Sequence, residues 1–272
     1  MTQEINQLHS NTIRVRNSIA SLIANQRLQI KMVADSLSKE KLLLKTDSLW
    51  NVSDRNDIEE LKLNIEYFKE NISCVYCFNL IQQQVGRQPG KNFYTDFEIV
   101  YNNASEKIKK SEAGITMATQ LKFFKQSMIG SIAPIFQGKD ISNEQISIAD
   151  FKEKKYVLID FWASYCAPCR EELSYIKDLY KSYSNEDFEI ISISLDDDFL
   201  KWKNAILKEN IEMWKHFSVT QNESPVKEDY FVNGIPHKVL IDKNGIIIGK
   251  WKGSGELNKI ALQTQLKDIF GH

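Results

Sequence analysis

The four cysteines of the chain fall in two pairs of equal spacing, Cys74-Val-Tyr-Cys77 and Cys166-Ala-Pro-Cys169. Two sulfurs three positions apart can open and close a disulfide, or supply half of a zinc site. Zinc would need two more ligands, and the candidate histidines are scattered at His9, His216, His237 and His272. Redox chemistry is therefore expected and a metal is not. The sequence contains no Gly-x-Gly-x-x-Gly motif for a flavin or nicotinamide. The expectation is that no cofactor takes part beyond the redox-active disulfide itself, with electrons supplied by a partner protein.

The surroundings distinguish the two pairs. Tyr156–Trp162 is a nearly continuous apolar run, the pattern of a buried central strand. It leads into the short loop that carries Cys166, and a helix over Glu171–Ser182 follows. A cysteine at a helix N-terminus meets free N–H groups and the positive end of the dipole, both of which favour a thiolate. Cys166 is the expected nucleophile, attacking a substrate disulfide to form a mixed disulfide. Cys169, one turn on and deeper, is expected to resolve that intermediate. Pro168 suits the first helical turn, where a missing N–H costs little. Resolution requires Cys169 to lose a proton. Asp160 on the strand and Glu172, three residues past Cys169 on the same helix face, are both candidate shuttles. Trp162 and Tyr165 are expected to wall the active-site surface.

Cys74 and Cys77 have spacing alone. They are expected inside a helix over Ile72–Gln84, as two small buried thiols packing helix against helix. The alternative is a second redox pair or an electron route to Cys166 and Cys169. His237 is read as a neutral surface histidine at a strand start, the alternative being a place near the active site. Trp202, Trp214 and Trp251 are read as packing residues, and Lys107, Lys109 and Lys110 as a solvated helix face.

The elements that hold these residues divide in two. A length of 272 residues suggests about two domains. No Gly or Pro occurs before Gly86, so long helices can run there. Ile5, Leu8, Val15, Ile19, Leu22, Ile23, Ile30, Val33 and Leu37 form one apolar stripe. A break is expected near Lys45–Ser53, and Asn56 with Glu59 reads as the cap of a second helix. A loop over Gly86–Gly90 and shorter helices over Phe93–Tyr101, Ser105–Lys110 and Glu112–Gln126 follow. After Met128 the pattern alternates. It gives a buried strand at Phe188–Leu195, a helix at Phe199–Glu209 and a hairpin of His237–Asp242 with Ile246–Trp251 about Lys243-Asn244-Gly245. Glu256–Phe270 closes as a helix. With 35 Lys+Arg against 36 Asp+Glu, the near-zero net charge excludes an electrostatic nucleic-acid binder. No membrane span is expected, and MTQEINQLHS is not a signal peptide. Either the protein is cytosolic or the sequence is a mature or truncated form.

The Phe161-Trp-Ala-Ser-Tyr-Cys-Ala-Pro-Cys169 segment, with Gly234-Ile-Pro236 and the later Leu240-Ile-Asp-Lys-Asn-Gly245 turn, resembles the thioredoxin fold. Ile129–Phe136, Ser194-Leu-Asp-Asp-Asp198 and the stretch around Trp202 and Trp214 resemble the ResA/TlpA branch of bacterial thiol–disulfide oxidoreductases in the AhpC/TSA-redoxin superfamily. The resemblance implies an α/β thioredoxin-like domain at 129–272 behind an all-α domain at 1–128, as in multi-domain bacterial members. It implies that Pro236 is cis and sits against the disulfide, and that Ile235 offers backbone groups to an extended substrate. It also implies protein disulfide substrates, an upstream protein dithiol donor and an extracytoplasmic home. Pro168 and Ile235 both resemble reducing members, so a reductant is expected. Tyr165 stands where these families usually carry Trp, a change expected to tune rather than abolish activity. A peroxiredoxin is disfavoured, since Ala163 and Ile159 occupy the places of its Thr and Pro. The other function class considered is a disulfide isomerase or binding module that dimerises or docks partners through the helical domain. The oligomeric state is not legible.

Overall fold

The computed structural model describes residues 2–85, 93–184 and 187–271. The expected Gly86–Gly90 loop and His272, and the side chains of Ile5, Leu8 and His9, lie outside the described part. The chain divides into two compact units, residues 1–122 with 255–257, and residues 123–254 with 258–272.

The first unit is helical. α1 (Thr2–Met32) and α2 (Ser36–Glu70) are followed by α3 (Val75–Gln82), α4 (Tyr94–Asn103), α5 (Glu106–Lys109) and α6 (Glu112–Gln126), whose last turn enters the second unit. The break between the first two helices falls at Val33–Asp35, not at Lys45–Ser53. Asp35 is the cap, its carboxylate accepting from the N–H groups of Leu37 and Ser38 at 3.2 and 2.8 Å. Asn56 lies inside α2 and caps nothing. Lys45–Ser53 holds no Gly or Pro, and the Thr46 hydroxyl returns to the Leu42 carbonyl at 2.8 Å, so nothing there stops the helix. α1 and α2 run antiparallel. Arg16 meets Asp57 at 2.7 Å, and Gln26 near the end of α1 meets Thr46 near the start of α2 at 3.2 Å. The single stripe expected on α1 splits. Ile19 and Ile23 are buried, Val15 and Leu22 are exposed, and Leu37, also exposed, falls on α2.

The second unit is built on a five-stranded mixed sheet in the order β5-β4-β3-β6-β7. Its strands are β3 (Tyr156–Trp162), β4 (Phe188–Ser194), β5 (Lys215–Ser218), β6 (His237–Ile241) and β7 (Ile247–Lys252). A two-stranded hairpin, β1 (Gln137–Lys139) with β2 (Gln145–Ser147), and a 3-10 turn at Ile148–Phe151 precede it. β3 pairs with β4 in parallel and with β6 antiparallel. The helices are α7 (Ala167–Tyr183), α8 (Phe199–Glu209), the single turns α9 (Val219–Asn222) and α10 (Val226–Asp229), and α11 (Glu256–Phe270). This is the α/β thioredoxin-like architecture behind a helical region that the sequence implied.

Alternation along β3 sorts its side chains by face. Leu158 and Trp162 pack with Leu173 and Ile176 of α7 and Leu262 and Leu266 of α11. Val157, Ile159 and Phe161 join Phe136, Phe217 and Tyr230 on the other side. Asp160 shares the register side of Leu158 and Trp162, beneath α7. In the β6–β7 turn, Gly245 alone takes a positive φ, +79°, and Asn244 does not. The Asp242 carboxylate closes the turn by accepting from the N–H groups of Asn244 and Ile246 at 2.9 and 2.8 Å.

The split stripe on α1 makes a direct contrast. Ile23→Ala, at 3% exposure, is expected to lower stability in urea unfolding by about 2–5 kcal/mol. Leu22→Ala, at 51% exposure, should change it by no more than about 0.5 kcal/mol.

Candidate active site

The loop after β3 is held by its neighbours before it reaches the cysteines. The Leu195 N–H donates to the Trp162 carbonyl at 2.9 Å, continuing the β3–β4 pairing beyond the strand ends. Buried Asp196 then accepts from the Ser164 N–H at 2.9 Å, the Ser164 hydroxyl at 2.5 Å and the Ser194 hydroxyl at 2.8 Å. The Cys166 N–H turns back to the Ala163 carbonyl at 3.0 Å, and α7 begins.

Cys166 is the N-cap of α7 and is disulfide-bonded to Cys169. Its Sγ accepts from the Cys169 N–H at 3.2 Å. One of the free donors of the helix end is therefore aimed at this sulfur, the position where a thiolate gains most. Cys166 is 7% exposed and Cys169 is 3% exposed. Pro168 lies in the first turn, half-buried, and Tyr165 beside the pair is 72% exposed. The Ile235–Pro236 peptide is cis, and Ile235 packs against the cluster that contains both cysteines.

Trp162 needs correction as a surface wall. It is fully buried among the same core residues and offers no face to a substrate. It is the last residue of β3 and points to the helix-covered side of the sheet. Its contribution is to the floor under the cysteines. His237 is also corrected, being buried rather than a surface residue. It pairs with Phe161 in the strand register and meets that ring edge-on at 6.1 Å, on the face away from Asp160. Burial, with nearby lysines, holds its imidazole well below the usual histidine range, so it is neutral.

One charged residue joined to these positions does not stand out in the sequence. Lys238 stands opposite Asp160 in the β3–β6 register, on the α7 side. Its buried ammonium donates to the Glu172 carboxylate and lies 3.4 Å from Asp160. It also lies 5.8 Å from the centre of the Tyr175 ring. The two carboxylates singled out as proton shuttles are thus joined through one ammonium. Burial raises the Asp160 carboxyl above the ordinary range, and Lys238 only partly offsets this. Burial works against the Lys238 charge, but Asp160 and Glu172 outweigh it and hold the ammonium protonated above its ordinary value. Two acids about one cation leave a surplus of one negative charge in a buried place. Such a cluster has a chemical reason to bind one proton. It begins one helical turn past Cys169. The available signal was a lysine inside the apolar run His237-Lys-Val-Leu-Ile241, where charge has no place without partners.

A helix-capping sulfur, a second sulfur one turn deeper and a buried acid cluster on a thioredoxin-like sheet define a thiol–disulfide exchange centre. A thioredoxin-like family model matches residues 153–247. The chain is 33% identical over 142 residues to the thiol-disulfide oxidoreductase ResA of Bacillus thuringiensis subsp. konkukian, covering 52% of this chain and 78% of that protein. It is 33% identical over 146 residues to ResA of Oceanobacillus iheyensis, covering 52% and 72%. The solved thioredoxin domain of a thiol-disulfide oxidoreductase from Bacteroides vulgatus matches at 32% identity and a TM-score of 0.46, over 51% of this chain and 97% of that one. The chain belongs to the ResA family of thiol–disulfide oxidoreductases.

Three substitutions test the site. Asp196→Ala removes the acceptor of the Ser164 N–H, and should cost about 1–3 kcal/mol in urea unfolding and slow disulfide exchange at Cys166. Asp160 has a raised folded value, so it favours folding at low pH, and this is lost as pH rises through that value. Asp160→Asn should therefore be more stable than the parent at pH 8, with the gap closing as pH falls toward the ordinary carboxylate range. Lys238→Met should instead cost about 3–5 kcal/mol at pH 8, because it strands two buried carboxylates. Thermal unfolding across pH checks both signs.

Proposed function

We propose that the protein is a reductant of protein disulfides, working through Cys166 and Cys169 with no further cofactor. In the reduced enzyme the Cys166 thiolate attacks a substrate sulfur. The substrate disulfide breaks, and its other sulfur leaves and takes up a proton. Cys169 gives its proton to the Asp160–Glu172–Lys238 cluster and attacks Cys166 Sγ. The substrate's second sulfur leaves, and the Cys166–Cys169 disulfide forms as the substrate gains two electrons and two protons. A protein dithiol then restores the pair by the reverse exchange. In this reading Pro236 and the backbone of Ile235 receive an extended substrate segment, with Tyr165 and Pro168 at the rim. The family resemblance suggests an extracytoplasmic setting, where protein disulfides persist. No helix among the described residues is long and apolar enough to cross a membrane.

The observation that carries the reading is the 3.2 Å approach of the Cys169 N–H to Cys166 Sγ at the start of α7. It supports Cys166 as the stabilised thiolate. Cys169 is the more buried sulfur and stands three residues before Glu172 on α7.

Equilibration of the Cys74→Ser/Cys77→Ser chain with glutathione isolates the potential of Cys166/Cys169. A value near about −270 mV is expected for a reductant, and one near about −120 mV would make the protein an oxidant. Cys166→Ser should abolish reduction of a protein disulfide, and Cys169→Ser should accumulate the mixed disulfide. Full activity in Cys166→Ser would refute the assignment.

A further inference from the structure

Cys74 and Cys77 are disulfide-bonded rather than two free thiols, and only Cys77 is buried and inside a helix. Asn71 ends α2, Ile72 and Ser73 make a turn, and Cys74 is the N-cap of α3, disulfide-bonded to Cys77. Its geometry repeats that of the active-site pair. Cys74 has φ −75° and ψ 96°, against −82° and 94° for Cys166. In each pair the first sulfur accepts from the N–H of the second cysteine at 3.2 Å, and the Cα atoms are 5.3 Å apart. The order of burial also repeats, the second sulfur being the deeper, although Cys74 is more open than Cys166. Cys74 is half-buried, whereas Cys77 is buried beside Phe78 and Ile81.

A second observation concerns what such a bond can do for stability. A disulfide stabilises chiefly by closing a long loop in the unfolded chain, and this one spans a separation of three. It is a weak staple, and it occupies the place where a helix end favours a thiolate. Around it Ile72, Val75 and Tyr76 are 45–50% exposed, an apolar rim at the mouth of the pair. An extended apolar protein segment suits such a rim.

We propose that Cys74–Cys77 is a second thiol–disulfide exchange site, with protein or peptide dithiols and disulfides as its substrates and Cys74 as the reacting sulfur. A donor thiolate attacks Cys74 Sγ, the Cys74–Cys77 bond breaks, and Cys77 leaves as a thiolate and is protonated from solvent. The donor's second thiol attacks its own sulfur in the mixed disulfide and releases Cys74. The donor is oxidised to a disulfide, and the pair gains two electrons and two protons. The reverse sequence reduces a substrate.

The test uses the full chain carrying Cys166→Ser and Cys169→Ser, so its outcome does not depend on the first site. The folded protein is equilibrated with mixtures of reduced and oxidised glutathione, acid-quenched, alkylated and read by mass. The pair is expected to pass reversibly between disulfide and dithiol without denaturant. With Cys77→Ser added, glutathione should accumulate on Cys74. With Cys74→Ser added instead, adduct formation at Cys77 should be at least about tenfold slower, because that sulfur is buried. A disulfide reduced only after unfolding, a dithiol that never oxidises, or equal rates at the two cysteines would each overturn the proposal. The same titration on the unaltered chain, with the two cysteine peptides resolved by mass, gives the answer should the variants fail to fold.

Discussion

One buried ammonium joins the elements beneath the cysteine helix. Lys238 comes from β6, Asp160 from β3 and Glu172 from α7, so three elements converge on one charge. None of the three could stay ionised there alone, because burying an isolated charge costs far more than a domain can spare. The contact therefore fixes geometry as well as charge. It ties the β3–β6 register to the rotation of α7, and a slip of one residue would send Lys238 to the opposite face. It would also bring His237 under the helix, a neutral ring in place of a cation.

A second set of contacts works from the other side of the same loop. Asp196 follows β4 and fixes Ser164, two residues before Cys166. The carboxylate cluster holds α7 from beneath, while Asp196 holds the loop that delivers Cys166 to the helix end. The sulfur itself needs little more than the free N–H groups found at any helix N-terminus. Placement of that helix end is what the sheet supplies.

The parts legible in the sequence are those where one residue and its neighbours in the chain decide the outcome. β3 and β4 appear as buried apolar runs, and their strand–loop–helix context marks Cys166 and Cys169. Asp160 and Glu172 stand out as acids near the cysteines. The parts that were not legible depend on partners distant in sequence. β5, with the polar sequence Lys-His-Phe-Ser, becomes a strand by pairing with β4. Lys238 acquires its meaning from a register that alternation along one strand cannot supply. The position of the α1–α2 break turns on a single capping carboxylate at Asp35, and which part of the α1 stripe is buried depends on the geometry of its partner α2. Trp162 shows the same limit. Its nearness to Cys166 in the chain suggested a surface role, but strand alternation directs it into the core.

The two cysteine pairs separate what a helix end provides from what a fold adds. Backbone angles, the sulfur-to-N–H approach and the Cα separation are nearly equal in the two, although one follows a β-strand and the other a helix–turn. These features therefore come from the Cys-x-x-Cys spacing at a helix N-terminus and do not require a thioredoxin-like sheet. The sheet contributes the strand positions from which Asp160 and Lys238 reach α7, and the Ile235–Pro236 segment against the cysteine cluster. A helix end can stabilise the attacking thiolate, but it does nothing to take the proton from the buried second sulfur. Under the proposed mechanism, resolution rather than attack is the step at which the thioredoxin-like site has the advantage over a bare helix cap.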